Sequence, residues 1–309
     1  MVQTDPLMSL ILAIVGPTGI GKSRLALNIA KDYSAEILSA DAFQFYRGLD
    51  IGTAKIRPRE QEGIVHHFLD ILDPSESFSV HDFQRLAREK IDSLQHEGKL
   101  PILVGGSGLY INAVYYDYRF LGNKRHEFDH SISSLTTEKL YEQLKMINPD
   151  LSATIHPNNR RRILRSLEIA MDISQDDTLG KKRPHYPNWT TIGLTMPRDQ
   201  LYQQLETRVD QMIQSGLENE ARYLFEYAAK SQAAMAIGYK EFFPYFQGEL
   251  SRIDVIAQIK QNTRRYAKRQ LTWFRNQMNC TWFIVNPDRF EDTIEQVRDY
   301  LKKEVRSTT

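Results

Sequence analysis

The sequence has one cysteine, Cys280, in 309 residues. That excludes an internal disulfide framework and a cysteine-based zinc site within one chain. With Thr281, Trp282 and Phe283 following it, Cys280 reads as a core residue and not as a reactive thiol. Surplus charge is lacking as well: 40 basic and 39 acidic side chains leave a formal net charge of +1. No global field draws this chain to nucleic acid, so any basic surface must be local. Long apolar runs are also missing. Residues 10–15 form the longest one near the N-terminus, too short for a membrane span and without the basic flank of a secretion signal. A cytoplasmic protein with no membrane association is expected. What remains is ordinary for a globular chain, 41% hydrophobic and 26% charged, and long enough for one large domain or two smaller ones.

The patterning alternates. Residues 10–15 are a continuous apolar run, suited to a strand buried on both faces. Further strands are predicted at 35–39, 67–72 and 101–104, with helical spacing over 23–33 and 80–96 between them. From about residue 115 to 189 strand signal disappears, and 137–146 and 159–171 look helical. Strands return at 190–195 and 281–285, separated by long helical patterns over 198–229 and 252–278. The expected fold is α/β, a parallel sheet core built from 1–114 and 190–309 and interrupted by a helical insertion at 115–189.

Gly16-Pro17-Thr18-Gly19-Ile20-Gly21-Lys22-Ser23 matches the P-loop pattern between a buried strand and a helix. The glycines let backbone N–H groups converge on phosphate oxygens, helped by the helix N-terminus, which makes Gly16, Thr18, Gly19 and Gly21 candidate phosphate-binding residues. Lys22 brings a point charge, and Ser23 a hydroxyl for Mg²⁺. The core is therefore P-loop NTPase-like. A P-loop ATPase usually sets an Asp at the end of another apolar strand, but residues 101–104 run into Gly105-Gly106-Ser107-Gly108 with no carboxylate. This stretch reads either as a second backbone-rich wall around phosphates, with Ser107 as donor, or as a helix-start turn. Asp41, just past the second strand, reads on its own as a helix N-cap.

Several segments, in order and spanning nearly the whole chain, resemble the bacterial tRNA dimethylallyltransferase (isopentenyltransferase) family. Besides the P-loop these are Ser39-Ala40-Asp41-Ala42-Phe43-Gln44-Phe45-Tyr46-Arg47-Gly48-Leu49-Asp50-Ile51-Gly52-Thr53-Ala54-Lys55, His66-His67-Phe68-Leu69-Asp70-Ile71-Leu72-Asp73-Pro74 and Leu103-Val104-Gly105-Gly106-Ser107-Gly108-Leu109-Tyr110. Ile155-His156-Pro157-Asn158-Asn159-Arg160-Arg161-Arg162, Ala236-Ile237-Gly238-Tyr239 and Lys268-Arg269-Gln270-Leu271-Thr272-Trp273 add to the likeness. The resemblance implies transfer of a dimethylallyl group from dimethylallyl diphosphate to N6 of adenosine 37 of tRNAs reading codons that begin with U. It implies Asp41 as the base, Ser107 and Arg208 as partners of the diphosphate, Mg²⁺ held at Ser23, and Asp41, Ala42, Phe43 and Gln44 facing the flipped nucleotide. A monomer acting on the anticodon stem-loop is expected. The stretch 116–134 departs from the family pattern, so no RNA contact is assigned there.

Local basic clusters fit RNA. Arg160, Arg161, Arg162 and Arg165 crowd one helical segment, with Lys181, Lys182 and Arg183 after it. Lys260, Arg264, Arg265, Lys268, Arg269 and Arg275 fall in a stretch without acids, with Tyr266, Trp273 and Phe274 interleaved; Arg264 and Lys268 share a helical face. His66 and His67 are adjacent on a strand and point to opposite faces, so they do not chelate a metal together. Rival readings are a small-molecule P-loop kinase, which lacks its carboxylate here, an adenylate isopentenyltransferase acting on free AMP or ADP, and a non-enzymatic RNA-binding module, which has no use for Lys22 and Asp41 together.

Overall fold

The computed structural model describes residues 9–117, 134–171 and 183–307. Most of the divergent stretch 116–134, and with it Lys181 and Lys182, lies outside them. The chain divides into two compact units: one joins the chain up to Tyr116 with the chain from Pro184 onward, and the other is Asp117–Arg183.

In the larger unit, β1 (Ile11–Val15) leads into α1 (Lys22–Asp32), β2 (Ala35–Ser39), β3 (His66–His67), α2 (Val80–His96), β4 (Leu100–Gly105) and α3 (Gly108–Tyr115). The smaller unit holds α4 (Thr137–Ile147), α5 (Pro149–Ala153) and α6 (Arg160–Met171). The larger unit resumes with β5 (Trp189–Thr195), α7 (Arg198–Gln214), α8 (Leu217–Ala228), α9 (Phe243–Phe246), α10 (Arg252–Gln277), β6 (Thr281–Ile284) and α11 (Phe290–Ser307). The strands form one sheet in the order β3-β2-β4-β1-β5-β6, every pairing parallel.

Helices cover both faces of this sheet, which is why β1 is apolar at every position. Leu12 and Ile14 pack with α1, α7 and α11 side chains such as Leu25, Leu205 and Ile294. Ile11, Ala13 and Val15 face the opposite way, toward Phe83, Ile111 and Phe274 of α2, α3 and α10. A third cluster joins Tyr46 and Leu49 to Leu217 and Leu224 of α8 and Ile259 of α10. Side chains set the helix starts: Ser79 accepts the Asp82 N–H at α2, and Ser251 accepts the Asp254 N–H at α10. In the smaller unit Leu140, Leu144, Ile155, Ile163 and Leu167 form the core.

Two sequence expectations change. The strand predicted over 67–72 is only His66–His67, because Phe68 (φ 64°) and Asp70 (φ 56°) are left-handed and end the extended ladder. The single helical pattern over 198–229 is two helices, broken where Gly216 adopts φ 101° and starts α8. Helices α5, α9 and α11 had no counterpart in the sequence reading.

Candidate active site

The loop after β1 turns through Gly19 at φ 78° and Gly21 at φ 96°. Both positions are also crowded. A Cβ on Gly21 would lie 2.5 Å from the Phe290 ring, and one on Gly19 would lie 3.0 Å from Leu205 and 3.5 Å from Nη1 of Arg208. Arg208, on α7, is thus brought over the P-loop from 186 residues away in sequence. Lys22 donates through Nζ to the carbonyls of Pro17 (2.8 Å) and Gly16 (3.1 Å). Burial lowers its pKa to about 8, with Asp41 pushing it up and Arg208 pushing it down. Ser23 is exposed beside it, in the first turn of α1.

Asp41 follows β2 by two residues. Its Oδ1 accepts the Phe43 N–H at 3.0 Å, an Asx turn with no α-helix behind it, so the helix N-cap reading fails. Burial raises the Asp41 pKa against the opposing pull of the Phe43 N–H, Lys22, Arg208 and the Gln44 N–H. The same burial holds Arg208 below its usual value, offset in part by Asp41. A carboxyl with a raised pKa between two cations is poised to take up a proton.

The segment from Asp41 to Lys55 is held from three directions. The Lys55 side chain is 4% exposed and forms ion pairs with Asp50 (2.7 Å) and Asp70 (2.6 Å). Its ammonium also donates to the Tyr46 carbonyl at 2.8 Å. Glu220 of α8 accepts the N–H groups of Asp50 (2.9 Å), Ile51 (2.8 Å) and Gly52 (3.1 Å), and the Tyr239 hydroxyl at 2.8 Å. Gln44 spends its amide inward, accepting from Ser39 Oγ (2.9 Å) and donating to the Thr53 carbonyl (3.2 Å).

At the end of β4 the helix-start reading holds. Ser107 stands at the N-cap of α3 but makes no capping bond; its Oγ accepts the Ala42 N–H at 3.2 Å instead. The glycines answer to packing. A Cβ on Gly105 would meet the Ala40 carbonyl at 2.2 Å, one on Gly106 the Gln270 amide at 2.1 Å, and one on Gly108 the Trp273 ring at 2.1 Å.

Two clefts open on this framework. One, of about 420 Å³, is polar and lined by Gly19, Gly21, Lys22, Ser23, Gln44 and Gly105 among others. The second, of about 210 Å³, is walled by Phe43, Leu205, Val209, Met212, Ile259 and Tyr266, with Arg269 at its edge. Thr18, Asp41, Thr53 and Arg208 line both. The clefts therefore meet at the candidate base. A larger groove of about 830 Å³ along Gln200, Gln203, Gln204 and Gln211 shares Gly19 and Arg208 but contains neither Asp41 nor Lys22.

Residues 44–277 match the IPP transferase family. The tRNA dimethylallyltransferase of Anoxybacillus flavithermus is 47% identical over 298 residues, 94% of this chain and 96% of that protein. The chain belongs to the IPP transferase family. The tRNA dimethylallyltransferase of Bacillus subtilis is 46% identical over 90% of this chain and 91% of its own length. Among solved structures, the full-length tRNA isopentenylpyrophosphate transferase from Bacillus halodurans superposes with a TM-score of 0.73 at 43% identity, covering 97% of this chain and 98% of that one. A eukaryotic dimethylallyltransferase acting on tRNA gives 0.81 at 27% identity, covering 94% of this chain and 77% of that one.

In this IPP transferase the fold brings Thr18, Gly19, Gly21, Lys22, Ser23, Asp41, Gln44 and Arg208 into the polar cleft, and Phe43 into the apolar one. Ser107 and Ala42 meet each other beside Asp41. The other candidates stand apart. Arg264 is paired with Glu206 and Lys260 with Asp210, so α7 supplies the acids that the α10 stretch lacks. Lys268 is exposed. Arg161, Arg162 and Arg165 are exposed on α6 of the smaller unit, Arg165 pairing with Glu168 at 2.8 Å. Sequence reasoning gave no site role to Thr53, Tyr266, Gln270 or Glu220. The first three stand within quoted or interleaved segments, but nothing in their local spacing shows which way they point. No group of three or more His, Cys, Asp or Glu able to hold a metal occurs among the described residues. His66 bonds the Ile64 carbonyl (2.9 Å) and His67 bonds Glu36 (2.6 Å). No described helix is long and apolar enough to cross a membrane.

Proposed function

We propose that this enzyme transfers the dimethylallyl group from dimethylallyl diphosphate to N6 of adenosine 37 in tRNAs that read codons beginning with U, releasing diphosphate. One observation carries the reading: a phosphate-type cleft and an apolar cleft share Asp41 as a common wall. The diphosphate occupies the P-loop side against Lys22 and Arg208, and the prenyl chain and the flipped adenine meet in the apolar cleft. N6 forms a bond to C1 of the allyl group, the C1–O bond to diphosphate breaks, and the N6 proton passes to the Asp41 carboxylate. Fixed cations at Lys22 and Arg208 meet the charge that grows on the leaving group. A free-standing kinase reading fails for want of a second carboxylate at the end of β4.

The residues fit Mg²⁺ of one kind only. With no cluster of ligating side chains among the described residues, the exposed Ser23 hydroxyl is the group that would hold a Mg²⁺ arriving with the diphosphate. Bound there, it offsets negative charge on the diphosphate. The RNA backbone is held by exposed Arg161, Arg162, Arg165 and Lys268, with Arg264 contributing if RNA displaces Glu206; the working unit is a monomer.

The test is transfer of labelled dimethylallyl to unmodified tRNA, with free AMP and ATP hydrolysis alongside and Asp41→Ala as control. Label in tRNA that disappears with Asp41→Ala is expected. Label confined to AMP, or ATP hydrolysis without prenyl transfer, would refute the proposal.

A further inference from the structure

We propose that Gln270 is a positioning residue for the diphosphate site, locking the P-loop to the strand end that supports Asp41. This deepens the reading above and rests on it for the identity of the anion. Gln270 lies on α10 and is 5% exposed. Its Oε1 accepts the Thr18 N–H at 2.9 Å, and its Nε2 donates to the Gly106 carbonyl at 3.0 Å. The partners fix the amide's orientation, since the reverse would set donor against donor and acceptor against acceptor. Next along the chain from Gly106, Ser107 accepts the Ala42 N–H beside Asp41. Gln270 thus ties the phosphate loop to the end of β4, and Ser107 ties that strand end to the loop carrying Asp41.

The bond also selects which loop amides face the ligand. Thr18 has its N–H engaged by Gln270 while the residue still lines the polar cleft, so an anion there is met by the loop amides beyond it. Removing the amide orphans a donor at Thr18 and an acceptor at Gly106, and the glycine loop can then re-form around water or the wrong amide. Gly106 is glycine because this amide sits against its Cα.

The experiment measures binding of inorganic diphosphate with Mg²⁺ by calorimetry, for wild type, Gln270→Ala and Gln270→Glu, together with steady-state prenyl transfer. Loss of two buried hydrogen bonds predicts affinity weakened about ten- to a hundredfold in Gln270→Ala at every pH. Gln270→Glu is the discriminating variant. Ionised, its carboxylate opposes the Gly106 carbonyl and repels diphosphate. Protonated, it reproduces the amide's one donor and one acceptor. Its affinity relative to wild type should therefore recover as pH falls from about 8.5 to about 5.5. The charged groups around the site, Lys22, Asp41, Arg208 and Arg269, and the Tyr266 hydroxyl are common to both proteins, so the ratio reads the introduced carboxyl. Wild-type affinity in both variants, or a weakened Gln270→Glu whose ratio is flat with pH, overturns the proposal. A wild type that binds no diphosphate refutes the functional reading itself and this inference with it. Gln270→Glu remains informative even if Gln270→Ala fails to fold.

Discussion

Lys55→Met removes one ammonium from under the loop that carries Asp41 and keeps most of the apolar stem. The cost can be assembled from its three partners. The Asp50 and Asp70 side chains are 55% and 49% exposed, so water replaces much of what they lose and each pair contributes about 0.5 kcal/mol. The Tyr46 carbonyl belongs to a fully buried residue and has no other donor among the described hydrogen bonds; leaving it unpaired costs about 1–3 kcal/mol. The sum is about 2–4 kcal/mol, which for a unit of this size lowers Tm by about 4–16 °C. The loop around Asp50 should also exchange its amide hydrogens faster, while α1 and β1 keep their protection. Differential scanning calorimetry and hydrogen exchange read both effects, and tRNA prenylation measured beside them should fall because Asp41 and Gln44 are carried by the same loop. A variant with wild-type Tm and wild-type kcat/KM would refute the view that Lys55 organises the site.

Four further outcomes are expected. Because the charged form of Lys22 binds diphosphate and its pKa is lowered to about 8, kcat/KM for dimethylallyl diphosphate should fall as pH rises past about 8, and on the acid side where Asp41, raised above the ordinary carboxylate range, takes up its proton. Asp41→Asn should lower kcat by about 10²–10⁴ and move the alkaline limb of diphosphate binding to lower pH, since Asp41 helps Lys22 keep its proton; an unmoved limb counts against that coupling. Arg208→Ala should reduce kcat by about 10²–10³ with little change in Tm, read by single-turnover transfer. Gly108→Ala drives a methyl into the Trp273 ring and should cost about 1–3 kcal/mol in denaturant melts, whereas Gly48→Ala, with nothing within 4 Å, meets only the strain of its left-handed backbone and should cost less.

The local grammar of this chain was legible. The strand–glycine loop–helix unit, the buried strands β1, β2 and β4, and the capped helix α2 all follow from short-range pattern, because a two-faced parallel sheet demands continuous apolar runs and a phosphate loop demands glycine. Where a residue's conformation depended on distant partners, pattern misled. The strand expected at 67–72 stops after His67 because Phe68 and Asp70 adopt left-handed backbone, Asp70 meeting Lys55. The acid-free stretch of α10 looked like a bare basic stripe, yet Asp210 and Glu206 of α7 neutralise Lys260 and Arg264. Gln44 is a loop glutamine in sequence and an internally bonded amide in the fold.

By itself, then, the sequence determined the fold class, the glycine loop and, through family resemblance, a set of candidate site residues. Tertiary structure alone decided that Arg208 hangs over Gly19, that two clefts meet at Asp41, and that Gln270 joins the loops flanking them. The reason is range: backbone preference and hydrophobic period act over a few residues, whereas burial, charge pairing and the pKa values of Lys22 and Asp41 are set by groups that only folding brings together.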